Sequence, residues 1–142
     1  MKIIIASIAK IDKVVNYLNQ TIPKNAIIFL TGDLASGKTT LASHIAKSKG
    51  IDGEVTSPTF SLQQCYGDNF YHYDLYRIEN EEFMQLGLFE EFEKSGWHII
   101  EWGDDALKEF LLNAGYEVFT VTITPFISSK ERERRNYRIE RN

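Results

Sequence analysis

The segment at residues 32–39 has the residue types and the spacing that hold phosphate groups. It reads G-D-L-A-S-G-K-T, and it follows an apolar run at residues 26–30. This fits the pattern G-x-x-x-x-G-K-[ST] between a strand and a helix. Backbone N–H groups of such a turn, together with those of the helix N-terminus, face one concavity that suits phosphate oxygens. The segment therefore predicts a phosphate-binding loop, in which Lys38 reaches the β- and γ-phosphates and the Thr39 hydroxyl binds Mg²⁺.

Two acidic residues at the ends of predicted strands are candidates for completing a magnesium site. Asp74 ends the aromatic segment 70–73, and Glu101 ends the apolar segment 97–100. A carboxylate at the end of a strand beside the loop strand reaches the metal directly or through water. An exposed surface acid is the alternative interpretation for each. Trp102, which follows Glu101, is interpreted either as a core side chain or as an aromatic shield of the site.

The histidines and the cysteine do not have the spacing of a zinc site. His72 and His98 lie inside strand patterns, and His44 lies inside a helical pattern. No pair of these residues has metal-ligand spacing, so we expect no zinc. Cys65 is the only cysteine, which excludes an internal disulfide and fits a cytoplasmic location.

The length of the chain predicts one domain, residues 1–142. The net charge of the chain is −4. This acidic balance argues against autonomous binding to RNA or DNA. The chain has no apolar run of the roughly 20 residues needed to span a bilayer. Basic residues are concentrated only in segment 130–141. That segment is interpreted as a solvated charged tail, or as a contact with a partner protein, a nucleotide or tRNA.

Helical and strand patterns alternate along the chain. Strands are predicted near 3–5, 26–31, 61–66, 70–76, 97–101, 116–124 and 137–140, the last at a sheet edge, and helices near 9–19, 38–49, 80–92 and 104–112. Gly87 is a possible break in the third helix, and residues 67–69 connect a hairpin. These elements predict an α/β fold, a three-layer P-loop NTPase-like domain with a mixed central sheet and an antiparallel hairpin.

Several clusters occur together in one order. They are G-D-L-A-S-G-K-T-T, S-P-T-F, Y-H-Y-D-L-Y-R, L-G-L and I-E-W. In this order the chain resembles the TsaE family, small bacterial P-loop ATPases of the tRNA threonylcarbamoyladenosine pathway. The resemblance covers about residues 26–103 and is looser at both ends.

The resemblance implies a set of site residues. Those that would contact ATP are Gly32, Asp33, Leu34, Ala35, Ser36, Gly37, Lys38, Thr39 and Thr40, with Thr59 in a switch-like loop at residues 57–60. Thr39 and Glu101 would hold Mg²⁺, and Lys38, Asp74, Glu101 and Trp102 would serve hydrolysis. Adenine contacts come from the amino-terminal segment and a late stretch of the family, which Ile8 and Arg132-Glu133 match loosely. The family usually has G-A where this chain has Ala35-Ser36.

The resemblance also implies an activity that depends on partners. Members of the family do not modify tRNA themselves; they bind the complex of TsaD and TsaB, and ATP hydrolysis supports its turnover. Contact with tRNA is then only indirect, through that complex. No catalytic arginine is assigned in the sequence, so we expect weak ATPase activity alone and stimulation by the complex. The alternatives are a small-molecule kinase with the same loop and a nucleotide-dependent binding module.

Overall fold

Seven described strands form one mixed sheet in the order β1-β7-β6-β2-β5-β4-β3. The structure is a computed structural model that describes residues 1–33, 36–51, 63–65, 69–76, 78, 82, 87–126 and 134–142. The strands are β1 (Lys2–Ser7), β2 (Ala26–Thr31), β3 (Gln63–Cys65), β4 (Phe70–Asp74), β5 (Trp97–Glu101), β6 (Val118–Pro125) and β7 (Arg134–Arg141).

The four central strands of the sheet are parallel. β2 pairs with β5 and β6, and β5 pairs with β4, all in parallel register. β7 and β1 extend one side in antiparallel register, and β3 forms an antiparallel pair with β4 on the other side. The mixed sheet and the antiparallel hairpin are therefore confirmed. Because the central strands are parallel, their carboxyl ends meet at one edge of the sheet, and Asp74 lies directly opposite Glu101 there.

Three α-helices flank the sheet in the described part of the chain. They are α1 (Asp12–Thr21), α2 (Lys38–Ser48) and α3 (Asp105–Asn113). The helix α3 begins at an N-cap, because the Asp104 carboxylate accepts the Leu107 N–H at 2.8 Å. Short 3₁₀ helices precede α1 (Ile8–Lys10) and β5 (Leu88–Glu93). None of the described helices has the length and apolar character needed to cross a membrane.

The helices cover both faces of the sheet and bury two apolar clusters. On one face, residues such as Leu18 and Leu41 of α1 and α2 pack on Ile28, Leu30 and Val121. On the other face, side chains of α3 and of the second 3₁₀ helix pack on the sheet; they are Leu107, Leu111 and Phe92, with Phe29, Tyr73 and Ile100 beneath them. This arrangement confirms the three layers.

The carboxyl-terminal segment differs from its prediction. The strand β7 has eight residues and lies between β1 and β6, so it is not an edge strand, and β1 takes the edge instead. Within segment 130–141, residues from Arg134 onward are therefore part of the sheet and not a solvated tail. The physical reason is the period-two alternation of β7, which buries Tyr137 and Ile139 and leaves Arg138 exposed.

Several boundaries also differ from the sequence-based prediction. The predicted helix 9–19 begins later, because residues 8–10 form a 3₁₀ turn. The predicted strand 70–76 ends at Asp74, whose carboxylate accepts the Tyr76 N–H at 3.0 Å and turns the chain. At the end of the predicted helix 80–92, Gly87 has φ 73° and a 3₁₀ helix follows it. The remainder of that helix lies mostly outside the described residues.

Candidate active site

Two glycines shape the loop between β2 and α2. A Cβ atom on Gly32 would lie 2.6 Å from Ser36 Oγ and 2.7 Å from the Ile123 carbonyl oxygen. Gly37 caps α2 with φ 106°, a left-handed conformation that disfavours other residues. The chain therefore enters α2 through a turn that only glycine fits without strain, and α2 begins at Lys38.

Lys38 lies across the loop and not in solvent. Its side chain is 5% exposed, and its Nζ donates to the carbonyl oxygens of Gly32 at 2.7 Å and Asp33 at 2.9 Å. Burial lowers the pKa of Lys38, while the carboxylates of Glu101, Asp33 and Asp74 act in the opposite direction. The ammonium group is thus held at the mouth of the loop with much of its hydration replaced by protein.

Thr39 and Glu101 meet above the carboxyl end of β5. The Thr39 hydroxyl lies 3.1 Å from Glu101 Oε2 and 3.3 Å from Oε1, and Glu101 is 2% exposed. A buried His72 contacts the same carboxylate, with Nε2 at 2.5 Å from Oε2. The structure therefore brings the loop threonine to the acid that the sequence places at the end of β5.

Asp74 lies at the end of the neighbouring strand β4. It lines the same cavity as Thr39 and Glu101, but it is less buried than Glu101. Its carboxylate also accepts the Tyr76 N–H, which fixes the side chain at the turn after β4. Glu101 is the more buried of the two acids, and its carboxylate accepts a hydrogen bond from the threonine of the loop.

Trp102 follows Glu101 with φ 63°, the one described non-glycine residue with positive φ. A bulky side chain in this conformation costs about 1–3 kcal/mol, which the surrounding contacts must offset. The Lys38 Nζ lies 4.1 Å from the centroid of the Trp102 ring, and the Tyr76 ring packs on it at 4.8 Å. Of the two interpretations of Trp102, the structure therefore favours the second, because the aromatic ring lies at the site and not in the core.

Arg135 is a site residue that the sequence analysis did not identify. It projects from β7 toward the loop, where a Cβ atom on Gly37 would lie 3.3 Å from its Cζ and Nε. Burial raises the pKa of Tyr137, while the positive charge of the Arg135 guanidinium acts in the opposite direction. The sequence signal that could have identified Arg135 is the alternation of side chains along β7, since Arg135 and the buried Tyr137 share one face of the strand.

These residues line one cavity of about 320 Å³ at the carboxyl edge of the sheet. Its lining consists of Ser36, Gly37, Lys38, Thr39, Thr40, Asp74, Tyr76, Glu101, Trp102 and Arg135. Gly32 and Asp33 contribute the carbonyl oxygens that hold Lys38. The predicted contacts Leu34, Ala35, Thr59 and Glu133, with the rest of segment 57–60, lie outside the described residues. Ile8 is exposed and is not part of this lining.

The cavity fits a phosphate group and a hard cation. The Ser36 hydroxyl is buried and has no hydrogen-bond partner among the described residues, although it lines the cavity. Hydroxyl and carboxylate oxygens such as those of Thr39 and Glu101 suit Mg²⁺, which usually keeps several waters and takes further oxygens from phosphates. No cluster of three or more His, Cys, Asp or Glu side chains that could hold a metal ion is found in the described part. The Thr39 hydroxyl and the Glu101 carboxylate would suit magnesium that is bound together with a nucleotide.

The fold and the loop define a P-loop NTPase-like α/β protein. The chain belongs to the TsaE family, because the family model "Threonylcarbamoyl adenosine biosynthesis protein TsaE" matches residues 5–136. The family predicted from the sequence is thus confirmed, as is the predicted fold class. The name of the family places it in threonylcarbamoyl adenosine biosynthesis.

Several relatives carry the description tRNA threonylcarbamoyladenosine biosynthesis protein TsaE. The Rickettsia conorii protein is 42% identical over 97 residues, which cover 65% of this chain and 55% of that protein. The Treponema pallidum protein is 34% identical over 110 residues, covering 75% of this chain and 77% of that protein. The match therefore spans little more than half of the Rickettsia relative. A crystal structure of Bacillus subtilis YdiB has a similar fold, with a TM-score of 0.65 and 22% identity, covering 96% of this chain and 83% of that one.

Proposed function

We propose that this protein is a Mg²⁺-dependent ATPase that acts in the cytoplasm on a complex of TsaB and TsaD and supports turnover of that complex in tRNA modification. The observation that carries the proposal is the contact between Thr39 and Glu101 beside the glycine-shaped loop. It joins a phosphate-binding loop to a buried carboxylate, which are the two parts that a magnesium-nucleotide site requires. Membership of the family supports the pathway, and the two partners are those that the resemblance to the family implies.

The proposed mechanism uses the cavity residues in distinct roles. The loop backbone and Lys38 bind and orient the phosphates, because the ammonium group is held at the mouth of the loop. Thr39 and Glu101 would hold Mg²⁺, which when bound supplies positive charge to stabilise the transferring phosphoryl group. Asp74 would orient water from the end of β4, and Trp102 would limit access of bulk water from its position over Lys38.

Phosphate release tests this proposal against its two rivals. We expect the protein alone to release phosphate slowly from ATP, and the TsaB–TsaD complex to raise the rate by about tenfold or more, as partner-supplied contacts do in other P-loop proteins. Release to water distinguishes an ATPase from a kinase, which needs an acceptor. ATP binding without release, in the presence of the complex, would favour the binding module. Equal turnover with and without the complex would refute partner activation.

The metal role of Thr39 has a matched control on the same helix. Thr39→Ala removes the hydroxyl beside Glu101, and we expect the Mg²⁺-dependent rate to fall by about tenfold or more. Ser48→Ala removes a hydroxyl at the far end of α2, where Ser48 donates to the Ile45 carbonyl at 2.6 Å. This control is expected to keep the wild-type rate.

Arg135 is expected to contribute to hydrolysis from β7. Arg135→Gln should lower the rate by roughly ten- to a hundredfold, because a hydrogen bond to a charged group contributes about 1.5–3 kcal/mol. The reason is its place in the cavity lining, against Gly37. Arg138→Gln is the control, since Arg138 lies on the same strand, is exposed and pairs with Glu140. Steady-state ATPase assays of both variants measure the difference, and equal rates would remove Arg135 from the mechanism.

A further inference from the structure

A buried histidine contacts the carboxylate that the proposed function assigns to magnesium. His72 lies within β4 and Glu101 at the end of the adjacent strand β5. The His72 side chain is 0% exposed, and its Nε2 lies 2.5 Å from Glu101 Oε2. Because an ionised carboxylate only accepts hydrogen bonds, Nε2 carries a hydrogen in this contact and donates a hydrogen bond to Oε2.

The contact restrains Glu101 from one side while the loop restrains it from the other. Thr39, at the start of α2, lies within 3.3 Å of both carboxylate oxygens. His72 approaches from β4, so the carboxylate is held between a strand and a helix. The second ring nitrogen of His72, Nδ1, is buried and has no hydrogen-bond partner among the described residues. Within that part of the chain, the hydrogen bond to Glu101 is thus the one side-chain hydrogen bond of this imidazole.

We propose that His72 is a positioning residue, which fixes the orientation of the Glu101 carboxylate for magnesium. This inference rests on the proposed function. A buried carboxylate that lost this donor would turn to satisfy its oxygens elsewhere, and its alignment with Thr39 would change. Outer partners of metal ligands typically contribute 10- to 100-fold in metal affinity for this reason. His72 itself is not among the residues that line the cavity.

A purely structural role for His72 makes a different prediction. His98, the buried histidine of β5, serves as the reference, because both of its ring nitrogens have partners away from the cavity. Its Nδ1 lies 2.7 Å from the Tyr73 hydroxyl and its Nε2 lies 2.8 Å from the Lys94 carbonyl oxygen. Replacing His98 therefore disturbs the core without touching Glu101. A structural histidine at position 72 would behave in the same way, with altered stability and unaltered magnesium dependence.

The test measures magnesium affinity apart from turnover. A fluorescent ADP analogue is titrated with MgCl₂ against wild type, His72→Phe, His72→Gln and His98→Phe, and thermal unfolding is followed in parallel. Phe keeps a planar ring but has no N–H, whereas the amide of Gln can place an N–H near the position of Nε2. We expect His72→Phe to raise the Mg²⁺ midpoint by about 10- to 100-fold. His72→Gln and His98→Phe should keep the wild-type midpoint, and binding of ADP without metal should be unchanged in all of them.

Each outcome decides between the inference and its alternatives. A wild-type midpoint in His72→Phe, or a raised one in His98→Phe, would overturn the positioning role. So would a raised midpoint in His72→Gln, because shape and not the hydrogen bond would then matter. If His72→Phe does not fold, His72→Asn replaces it, since its shorter amide does not reach Oε2 and should raise the midpoint equally. If wild type binds ADP with no dependence on Mg²⁺, the proposed function itself fails.

Discussion

Replacement of Lys38 by methionine is expected to lower ATP hydrolysis by about a hundredfold or more, since preorganised charge at a phosphoryl group has effects of this size. Lys38 is 5% exposed and its ammonium group is held over the loop by two carbonyl oxygens, so little rearrangement is needed to meet a phosphate. Methionine keeps the length and the apolar stem of the side chain but removes the charge. The ATPase rate and the affinity for an ATP analogue measure the effect.

Stability should respond to the same substitution far less than activity does. Burial lowers the pKa of Lys38 below its usual value of 10.5, so the folded state holds this proton less tightly than the unfolded state. The free energy of unfolding of the wild type, compared with that of Lys38→Met, is therefore expected to rise as the pH increases from the pKa of Lys38 in the folded state toward 10.5. Urea unfolding at neutral and alkaline pH measures this difference.

Lys47→Met, an exposed site on the same helix, is the control and should keep both the activity and the pH dependence of the wild type. Wild-type turnover in Lys38→Met would contradict the role of Lys38.

The sequence predicts the parts of the site whose signals are local. The strand, the loop and the helix around Lys38 follow one another directly, so spacing alone places the glycine turn at the start of α2. Glu101 was found by the same reasoning, because it ends an apolar segment that could only be a buried strand. Asp74 and Glu101 could not be ranked in this way. Their difference depends on burial and on the contact with Thr39, which exist only after the sheet is assembled.

The residues that were missed depend on long-range pairing. Arg135 reaches the loop because β7 inserts between β1 and β6, a topology that no local pattern specifies. His72 meets Glu101 only through the parallel register of β4 and β5, where Asp74 is opposite Glu101. The sequence leaves two interpretations of Trp102 open, because no sequence signal predicts a left-handed backbone at a bulky residue, and this conformation sets the position of the ring. The order of residues along the chain thus predicts the phosphate-binding loop, whereas the other residues of the site come together only through the pairing of the strands.

Replacement of Glu101 by glutamine is expected to abolish the dependence of hydrolysis on Mg²⁺ and to lower the rate by about a hundredfold or more. Glutamine has nearly the same shape, and its carbonyl oxygen can still accept the His72 N–H, so the fold should persist. What is lost is one negative charge in a site where Glu101 is 2% exposed and lies against Thr39. Phosphate release at increasing MgCl₂ measures the loss, and ADP binding without metal shows that the loop remains intact.

Asp74→Asn is the matched comparison, since it also replaces a strand-terminal carboxylate of the cavity by an amide. The amide oxygen can still accept the Tyr76 N–H, so the turn after β4 should be preserved. Because Asp74 is only partly buried and Glu101 has the contact with Thr39, we expect a smaller loss of rate and an unchanged Mg²⁺ midpoint in Asp74→Asn. If the midpoint shifted in Asp74→Asn and not in Glu101→Gln, the metal would belong to Asp74. The contact between Glu101 and the loop threonine would then be a structural hydrogen bond beside the site.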